Sequence, residues 1–357
     1  MRPRVLWDAR KAADFGIGTY ITGLLEGLVA LDRFELLAVG RREDTALIPA
    51  GVTLVPSKAP HYSLRELFDV RQRIVHVQPD LFHAPHYVVP LFPPKRTVVT
   101  IHDLMHLTRP EHSSALKQAY AKRMLGRAAG MARVITVSEA TRLEVARFWP
   151  GARTVVIPNG VGPRFSPSVP AVERSRIRRE HGLSMPYLLF LGNDKPHKNV
   201  RALLEAFSLH RRFHPTPHHL VLAGGSRRAA LLAQGLAGVA HDLGRVPDRD
   251  LPPLVAEADA VILPSLAEGF GLPVLEAQAT GTPVACSNRG GLLEAAGDAA
   301  VLFDPESPEE MAEAIRTVLT DEPLRRDLVR RGLERAAGLT WKRVAERTAA
   351  VYAEVLA

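Results

Sequence analysis

Short apolar runs rich in β-branched residues alternate with helical patterns from one end of the chain to the other, and this alternation restricts the fold more than any other feature. RVLWDA, FELLAVG, VTLVP, DLFHAP, RTVVTIHD, RVITVS and TVVIPNG occupy the first half; YLLFLGN, HLVLAGG, AVILPS, TPVACS and AVLFDP occupy the second. Segments 19–31 and 199–213 carry apolar residues at helical spacing between such runs. Strands apolar on both faces and separated by helices form parallel sheets covered on both sides, so the pattern predicts an α/β chain with two sheets. A chain of 357 residues, 46% hydrophobic, is long enough for two domains of ordinary size. The polar, proline-containing stretch 162–176, GPRFSPSVPAVERSR, is the expected linker.

Composition narrows the class further. The start, MRPRVLWDAR, runs straight into an apolar strand, and no stretch approaches the roughly 18–20 apolar residues of a membrane span. The single cysteine, Cys286, lies in an apolar run, reads as packing, and suits a reducing compartment, so a cytoplasmic location is expected. The net charge of +8 is uneven: Lys and Arg outnumber Asp and Glu 23 to 14 in residues 1–165, but stand 23 to 24 in the remainder. The +9 half favours an anionic partner, with a solvated basic surface as the equal alternative; Arg10 and Lys11, directly after the first strand at the ligand end of its sheet, are the cations expected nearest an anionic acceptor.

Ligands of parallel sheets collect at the carboxyl ends of the strands, and several informative residues fall there. In DARKAADFGIGTY, Gly16 and Gly18 precede a helix and let the backbone approach a ligand, although a plain strand-to-helix turn explains them as well. His102 and Asp103 follow RTVVTIHD; a lone histidine is usually structural, but one at a strand end beside a carboxylate is a stronger candidate. Lys195, His197 and Lys198 lie between a strand and a helix, where a cation and helix-terminal amides can together hold phosphate. Loop lysines are also commonly just solvated.

The stretch PSLAEGFGLPVLEAQATGTPV, 264–284, is more specific. Gly269 and Gly271 disfavour continuous helix, Pro273 suits its first position, and Gly281 with Pro283 closes it. Glu268 is therefore expected in the loop and Glu276 about one turn inside the helix, with amides around Gly271, Leu272 and Val274 forming an anion pocket. An anion held by amides leaves the two acids for neutral, hydroxyl-bearing parts of the same ligand. A sugar joined to a nucleoside through a diphosphate has that pattern. Either acid alone reads equally well as a cap or a surface charge.

With these residues the chain resembles the retaining glycosyltransferases of family 4. The resemblance runs over nearly its whole length, through DARKAADFGIGTY, TIHDLMHL, VITVSEATRLEVARF, VIPNGV, LLFLGNDKPHKNVRALLEAF, LVLAGG, EGFGLPVLEAQATGTPVACSNRGGLLEAAGDAAVLFDP and TWKRVAERTAAVYAEVL. It implies the GT-B fold, two facing Rossmann-like domains with parallel sheets and an interdomain cleft. Residues 1–165, joined by the terminal helix 341–357, would form the acceptor side, and residues 166–340 the nucleotide-sugar donor domain. EGFGLPVLE resembles the paired-glutamate motif of the family. By that similarity Glu268 contacts donor sugar hydroxyls, Glu276 the ribose, and the Phe270, Gly271 and Leu272 amides the diphosphate. Lys198 neutralises the diphosphate, the Gly16 and Gly18 turn lies at the donor, and His102 faces the anomeric region. Two positions depart from the pattern. Many relatives carry an arginine where this chain has Asn193, with Lys195 nearby as a less fork-like substitute, and relatives often read Gly-Ile-Gly-Arg-Tyr where this chain has Thr19.

The expected reaction is transfer of a hexosyl unit, mannose favoured, from GDP-mannose or a UDP-sugar to a glycan or lipid-diphosphate-linked acceptor. No Asp-X-Asp falls in a loop expected at the cleft, so metal independence is expected, with cations and amides stabilising the leaving diphosphate and front-face attack retaining configuration. The basic first half adds peripheral contact with an anionic membrane. A nucleotide-sugar epimerase of related fold is the alternative. A nicotinamide enzyme lacks the full glycine fingerprint, and no aromatic-basic platform supports nucleic acid as a partner.

Overall fold

The computed structural model describes residues 2–57, 64–109, 114–225 and 235–357. Its chain divides into two compact units, Met1–Gly160 with Leu339–Ala357, and Val161–Gly338. The first unit contains β1 (Arg4–Asp8), β2 (Glu35–Gly40), β3 (Val52–Pro56), β4 (Leu81–Ala84), β5 (Thr97–Ile101), β6 (Arg133–Thr136) and β7 (Thr154–Val156). These form one sheet in the order β3-β2-β1-β4-β5-β6-β7, with parallel pairing throughout. The second unit contains β8 (Tyr187–Leu191), β9 (His219–Ala223), β10 (Ala240–Asp242), β11 (Ala260–Leu263), β12 (Val284–Ser287) and β13 (Val301–Phe303), ordered β10-β9-β8-β11-β12-β13 and again parallel.

Both sheets are doubly wound, so each strand order reverses once: between β1 and β4 in the first unit and between β8 and β11 in the second. The loops leaving those strands diverge to opposite faces and open a crevice at the carboxyl edge. The apolar runs pack as such a sheet requires. Leu188, Phe190, Leu220, Leu222 and Ile262 are wholly buried against Leu203 and Phe207 of the Val200–Phe213 helix and Met311 and Ile315 of the Pro308–Thr320 helix. Cys286 sits in this sheet, its thiol pushed up to about 12 by burial, and serves as packing.

All twelve apolar runs are strands. Sequence reading missed β10, a three-residue edge strand whose AHD carries no apolar signal. The expected linker also differs: its last part is the first turns of the Ala171–Glu180 helix, and its polar face reflects exposure of that helix.

The terminal helix, Trp341–Leu356, lies on the Ile17–Leu31 helix within the first unit. Gly23 and Gly27, one turn apart, make the approach possible, since a Cβ on Gly23 would stand 2.3 Å from the Trp341 ring and one on Gly27 2.6 Å from the Trp341 carbonyl. A buried polar chain ties the same helix to the sheet. The Tyr352 hydroxyl lies 2.5 Å from His83 Nδ1, His83 Nε2 lies 2.9 Å from Thr100 Oγ1, and Thr100 Oγ1 lies 2.8 Å from the Tyr20 hydroxyl. Burial drives the His83 imidazole down to about 3, so it stays neutral and the chain carries no buried charge.

Candidate active site

In the second unit, the loops after β8 and β11 flank the strand-order reversal and bring the sequence-predicted residues together. Lys198 Nζ and Glu268 Oε1 form an ion pair at 2.5 Å, with both side chains about 15% exposed. The loops are joined by backbone as well: Leu266 N–H donates to the His197 carbonyl at 2.8 Å, and Asn199 Nδ2 donates to the carbonyls of Pro264 and Pro305. Asn199 adopts φ 54°, the left-handed region asparagine tolerates, and so turns Lys198 off the end of β8 before the helix begins. Asn193 and Lys195 are on the same loop. Asn193 Oδ1 accepts the Lys195 N–H at 3.2 Å, and the Lys195 side chain is exposed.

Gly271, at φ 112°, caps the Leu272–Thr280 helix, Pro273 occupies its first turn, and Gly281 ends it at φ 75°. Glu268 therefore stands in the loop and Glu276 one turn inside. Phe270 is buried and anchors the turn, while Leu272 is half-buried at its start. Gly290 and Gly291, leaving β12, carry the loop from beneath. Gly291 N–H donates to the Glu268 carbonyl at 3.1 Å, and a Cβ on Gly291 would lie 2.3 Å from the Gly269 carbonyl. Sequence reading did not single out Asn199 or this glycine pair, although an asparagine before a helix and a Gly-Gly after a strand are both turn signals.

The two acids have opposite electrostatics. Burial pushes the Glu268 carboxyl up, but the Lys198 ammonium and its hydrogen bond outweigh this and hold it below the usual carboxylate range. Burial raises Glu276 to about 7; Arg164 opposes this and Asp248 adds to it. No hydrogen bond or ion pair holds the Glu276 carboxylate among the described residues.

In the first unit, His102 follows β5. Its Nε2–H donates to the Pro85 carbonyl at 3.0 Å, and its ring meets the edge of Tyr20 at 4.8 Å, the tyrosine held by Thr100. Burial lowers its pKa ahead of every other influence, so the neutral tautomer leaves Nδ1 as an acceptor. Gly16 caps the Ile17–Leu31 helix at φ 62° with open space where a Cβ would stand. Gly18 differs: its N–H already donates to Asp14, and a Cβ there would lie 2.3 Å from the Ala12 carbonyl, so it serves the tightness of the turn.

Arg10, read from sequence as a surface cation for an anionic acceptor, requires correction. It is 5% exposed and forms a two-pronged pair with Asp8 at 2.8 and 2.6 Å, so its charge is neutralised inside the unit. The sole Asp-X-Asp of the chain, Asp248-Arg249-Asp250, does not converge as a metal pair, because Asp250 is buried against Arg176 at 2.7 Å. Among the described residues no three His, Cys, Asp or Glu side chains are grouped to hold a metal ion, and no helix is long and apolar enough to cross a membrane.

Comparison with known proteins gives this geometry its class. Residues 16–165 match the Glycosyltransferase Family 4 model, and residues 173–335 match Glycosyl transferases group 1. The chain is 32% identical to the O-antigen chain mannosyltransferase B of Escherichia coli over 76% of its own length and 74% of that protein. It is 28% identical to a D-inositol 3-phosphate glycosyltransferase of Pseudarthrobacter chlorophenolicus over 82% and 74%. Among solved structures, Anabaena HepE in complex with UDP and glucose superposes with a TM-score of 0.78 at 20% identity, covering 99% of this chain and 100% of that one. The chain belongs to the family-4 glycosyltransferases with a group 1 domain. It is an enzyme of the GT-B class that transfers sugar from a nucleotide-sugar donor.

Proposed function

We propose that this enzyme transfers a mannosyl unit from GDP-mannose, with retention and without a metal ion, to a phosphate-bearing glycan or lipid-linked acceptor. The observation that carries the reading is the Lys198, Glu268 and Glu276 arrangement at the strand-order reversal of the second unit. It offers one cation and helix-terminal amides for a diphosphate and two separate acids for hydroxyls. In this reading Glu268 takes the sugar hydroxyls and Glu276 the ribose, the amides of Phe270, Gly271 and Leu272 and the Lys198 ammonium hold the diphosphate, and Asn193 and Lys195 border it. Gly16 and Gly18 shape the turn offered by the first unit, and His102 accepts through Nδ1 from a hydroxyl near the reacting carbon. The acceptor hydroxyl attacks the anomeric carbon on the face that the phosphate leaves. The carbon–oxygen bond to the diphosphate breaks, and the hydroxyl proton passes to the departing phosphate oxygen, so no enzyme nucleophile is needed.

Mannose is favoured by the identity to a mannosyltransferase, while UDP-sugars are the second reading, favoured by the fold's likeness to a UDP-bound protein. A phosphate-bearing acceptor is supported by the basic first half and by a relative named for inositol 3-phosphate. Leu116 and Arg123, seven positions apart and so on one face of the Ala115–Ala129 helix, are both exposed and support peripheral contact with anionic lipid at the cytoplasmic membrane face, while the exposed Lys117 and Lys122 lie to either side of it. Arg127 instead turns inward to the Pro90 carbonyl.

A thermal-shift series with GDP, UDP and ADP tests the donor. The matching nucleotide at 100 times its Kd adds about 2.7 kcal/mol of stability. Stabilisation by UDP alone would replace GDP-mannose with a UDP-sugar, and release of a 2-epimer from donor alone would replace transfer with epimerisation.

A further inference from the structure

We propose that the loop 90–94 anchors the first unit to a bilayer: Phe92 enters the boundary between headgroups and acyl chains of an anionic membrane, and Lys95, Arg96 and Arg123 hold the lipid phosphates around it. This rests on the reading above that the enzyme works at such a membrane, and it names the residue that inserts.

The backbone singles out Phe92. Its φ is 51°, in the left-handed region that a bulky side chain rarely adopts, and the residue is 77% exposed. A single exposed apolar side chain is ordinary on a protein surface, but one presented against backbone strain is not. The strain is imposed by what holds the loop on both sides of the residue. Leu91 packs on the core of the first unit, and its N–H donates to the Leu67 carbonyl at 3.3 Å. Arg127 Nη2 donates to the Pro90 carbonyl at 2.7 Å, and Thr97 Oγ1 to the Pro94 carbonyl at 2.7 Å. The loop is thus fixed with Phe92 in solvent.

The same bonds suit the loop to leaving water. Pro90, Pro93 and Pro94 have no N–H, the Leu91 N–H is taken and two of the carbonyls are bonded, so little unpaired backbone would be desolvated with the ring. The surroundings match lipid. Phe68, 57% exposed, follows Leu67 on the Leu64–Val77 helix and gives a second aromatic residue beside the loop. Lys95 and Arg96 follow Phe92 within four residues and are exposed. Arg123 shares a face of the Ala115–Ala129 helix with Leu116 and with Arg127, which reaches the loop, so the helix face and the loop adjoin. No acidic residue stands between Asp80 and Asp103 or in the Ala115–Ala129 helix, and Asp69 on the Leu64–Val77 helix accepts from Ser57 and Arg73. A symmetric pairing of two copies through this patch would set cations against cations. Anionic headgroups over an acyl layer complement both the aromatic residues and the charges.

Flotation with phosphatidylcholine–phosphatidylglycerol vesicles at about 0.1 M salt tests the anchor. Phe92→Ser should weaken vesicle binding about tenfold, the size expected when one aromatic ring no longer leaves water, while nucleoside diphosphate affinity stays unchanged. Phe213→Ser removes a comparably exposed ring from the second unit and should leave vesicle binding as it is. Phe92→Gly separates insertion from packing, because glycine relieves the left-handed backbone: vesicle binding should fall as it does with serine, and the melting temperature should not. In the Phe92→Trp variant, lipids brominated on their acyl chains should quench fluorescence more than they do in the wild type. Vesicle binding that survives Phe92→Ser, or no added quenching in the Phe92→Trp variant, overturns the anchor and leaves membrane contact to the Leu116 and Arg123 face. A melting temperature lowered by Phe92→Gly would make the ring a packing element and count against the anchor as well. Wild-type protein that ignores anionic vesicles sinks the anchor and the wider membrane reading together.

Discussion

Among the proposed donor residues Glu276 carries the most pH-sensitive free energy. Its carboxyl is raised to about 7, so the folded chain binds this proton more tightly than the unfolded chain does. That stabilisation is fully present below the ordinary glutamate range and is lost as pH rises through about 7. Glu276→Gln should therefore match wild type in stability near pH 4 and exceed it at pH 8, by up to about 3 kcal/mol. Melting temperatures at the two pH values read the difference, and a gap of the same size at both would remove Glu276 as its source. In the proposed donor site, ribose hydroxyls donating to this carboxylate would favour its ionised form, so nucleotide binding near pH 6.5 should release a proton, visible as a buffer-dependent enthalpy. Lys198 and Glu268 make a different prediction, because in the proposed donor site the diphosphate takes Lys198 from its present partner. Lys198→Ala should weaken nucleoside diphosphate binding about tenfold or more while sparing the bare nucleoside. Glu268→Ala should abolish transfer yet tighten nucleoside diphosphate binding, by roughly twofold to tenfold, through release of that cation. Weaker nucleotide binding in the Glu268 variant would show that the pair does not compete with the ligand.

At the scale of elements, the Glu268 loop owes its shape to the backbone of another strand's turn. Gly291→Val would drive a side chain into the Gly269 carbonyl and displace the loop, since the nearest atom is backbone and cannot swing aside. A displacement near 1 Å at a reacting group costs about 100-fold in rate, so kcat/KM should fall on that order while the far-UV spectrum holds. Retained activity would mean that the Gly290–Gly291 turn does not position Glu268. The helix itself was legible in advance, because Gly271, Pro273 and Gly281 are each selected by local backbone geometry. The support from Gly291 was not, because the residues it touches lie some twenty positions earlier and the contact exists only once β11 and β12 are neighbours. Arg10 misled for a different reason: its partner Asp8 is only two positions away, but that the pair is buried rather than solvated shows only in the folded unit.

For the molecule as a whole, the last helix belongs to the first unit and completes its core, burying Trp341, Val344, Ala345, Ala349, Val351 and Tyr352. Deleting residues 341–357 should unfold the first unit, leaving His83 without Tyr352 and the Gly23–Gly27 groove open. Amide exchange should then report fast exchange across β1 and β4 with protection kept in β8 and β11; protection retained in β1 would show the helix to be dispensable. The uneven charge acts at this scale too. Surface attraction is screened beyond about 10 Å at 0.1 M salt, so raising ionic strength should raise KM for an anionic acceptor more than it weakens donor binding. An acceptor KM indifferent to salt would reduce the basic half to a solvated surface.

Twelve strands, their parallel class and the helix that starts after Gly271 and ends at Gly281, with Glu276 inside it, follow from the order of residues alone, because apolar runs, glycine and proline act on backbone within a few positions. Which charges remain available is another matter. Lys198 and Glu268 are seventy positions apart, and Tyr352 and His83 far more. Only the folded sheets bring them to hydrogen-bonding or electrostatic range, where a few ångströms and the loss of water decide whether a charge is paired, raised, lowered or left for a ligand.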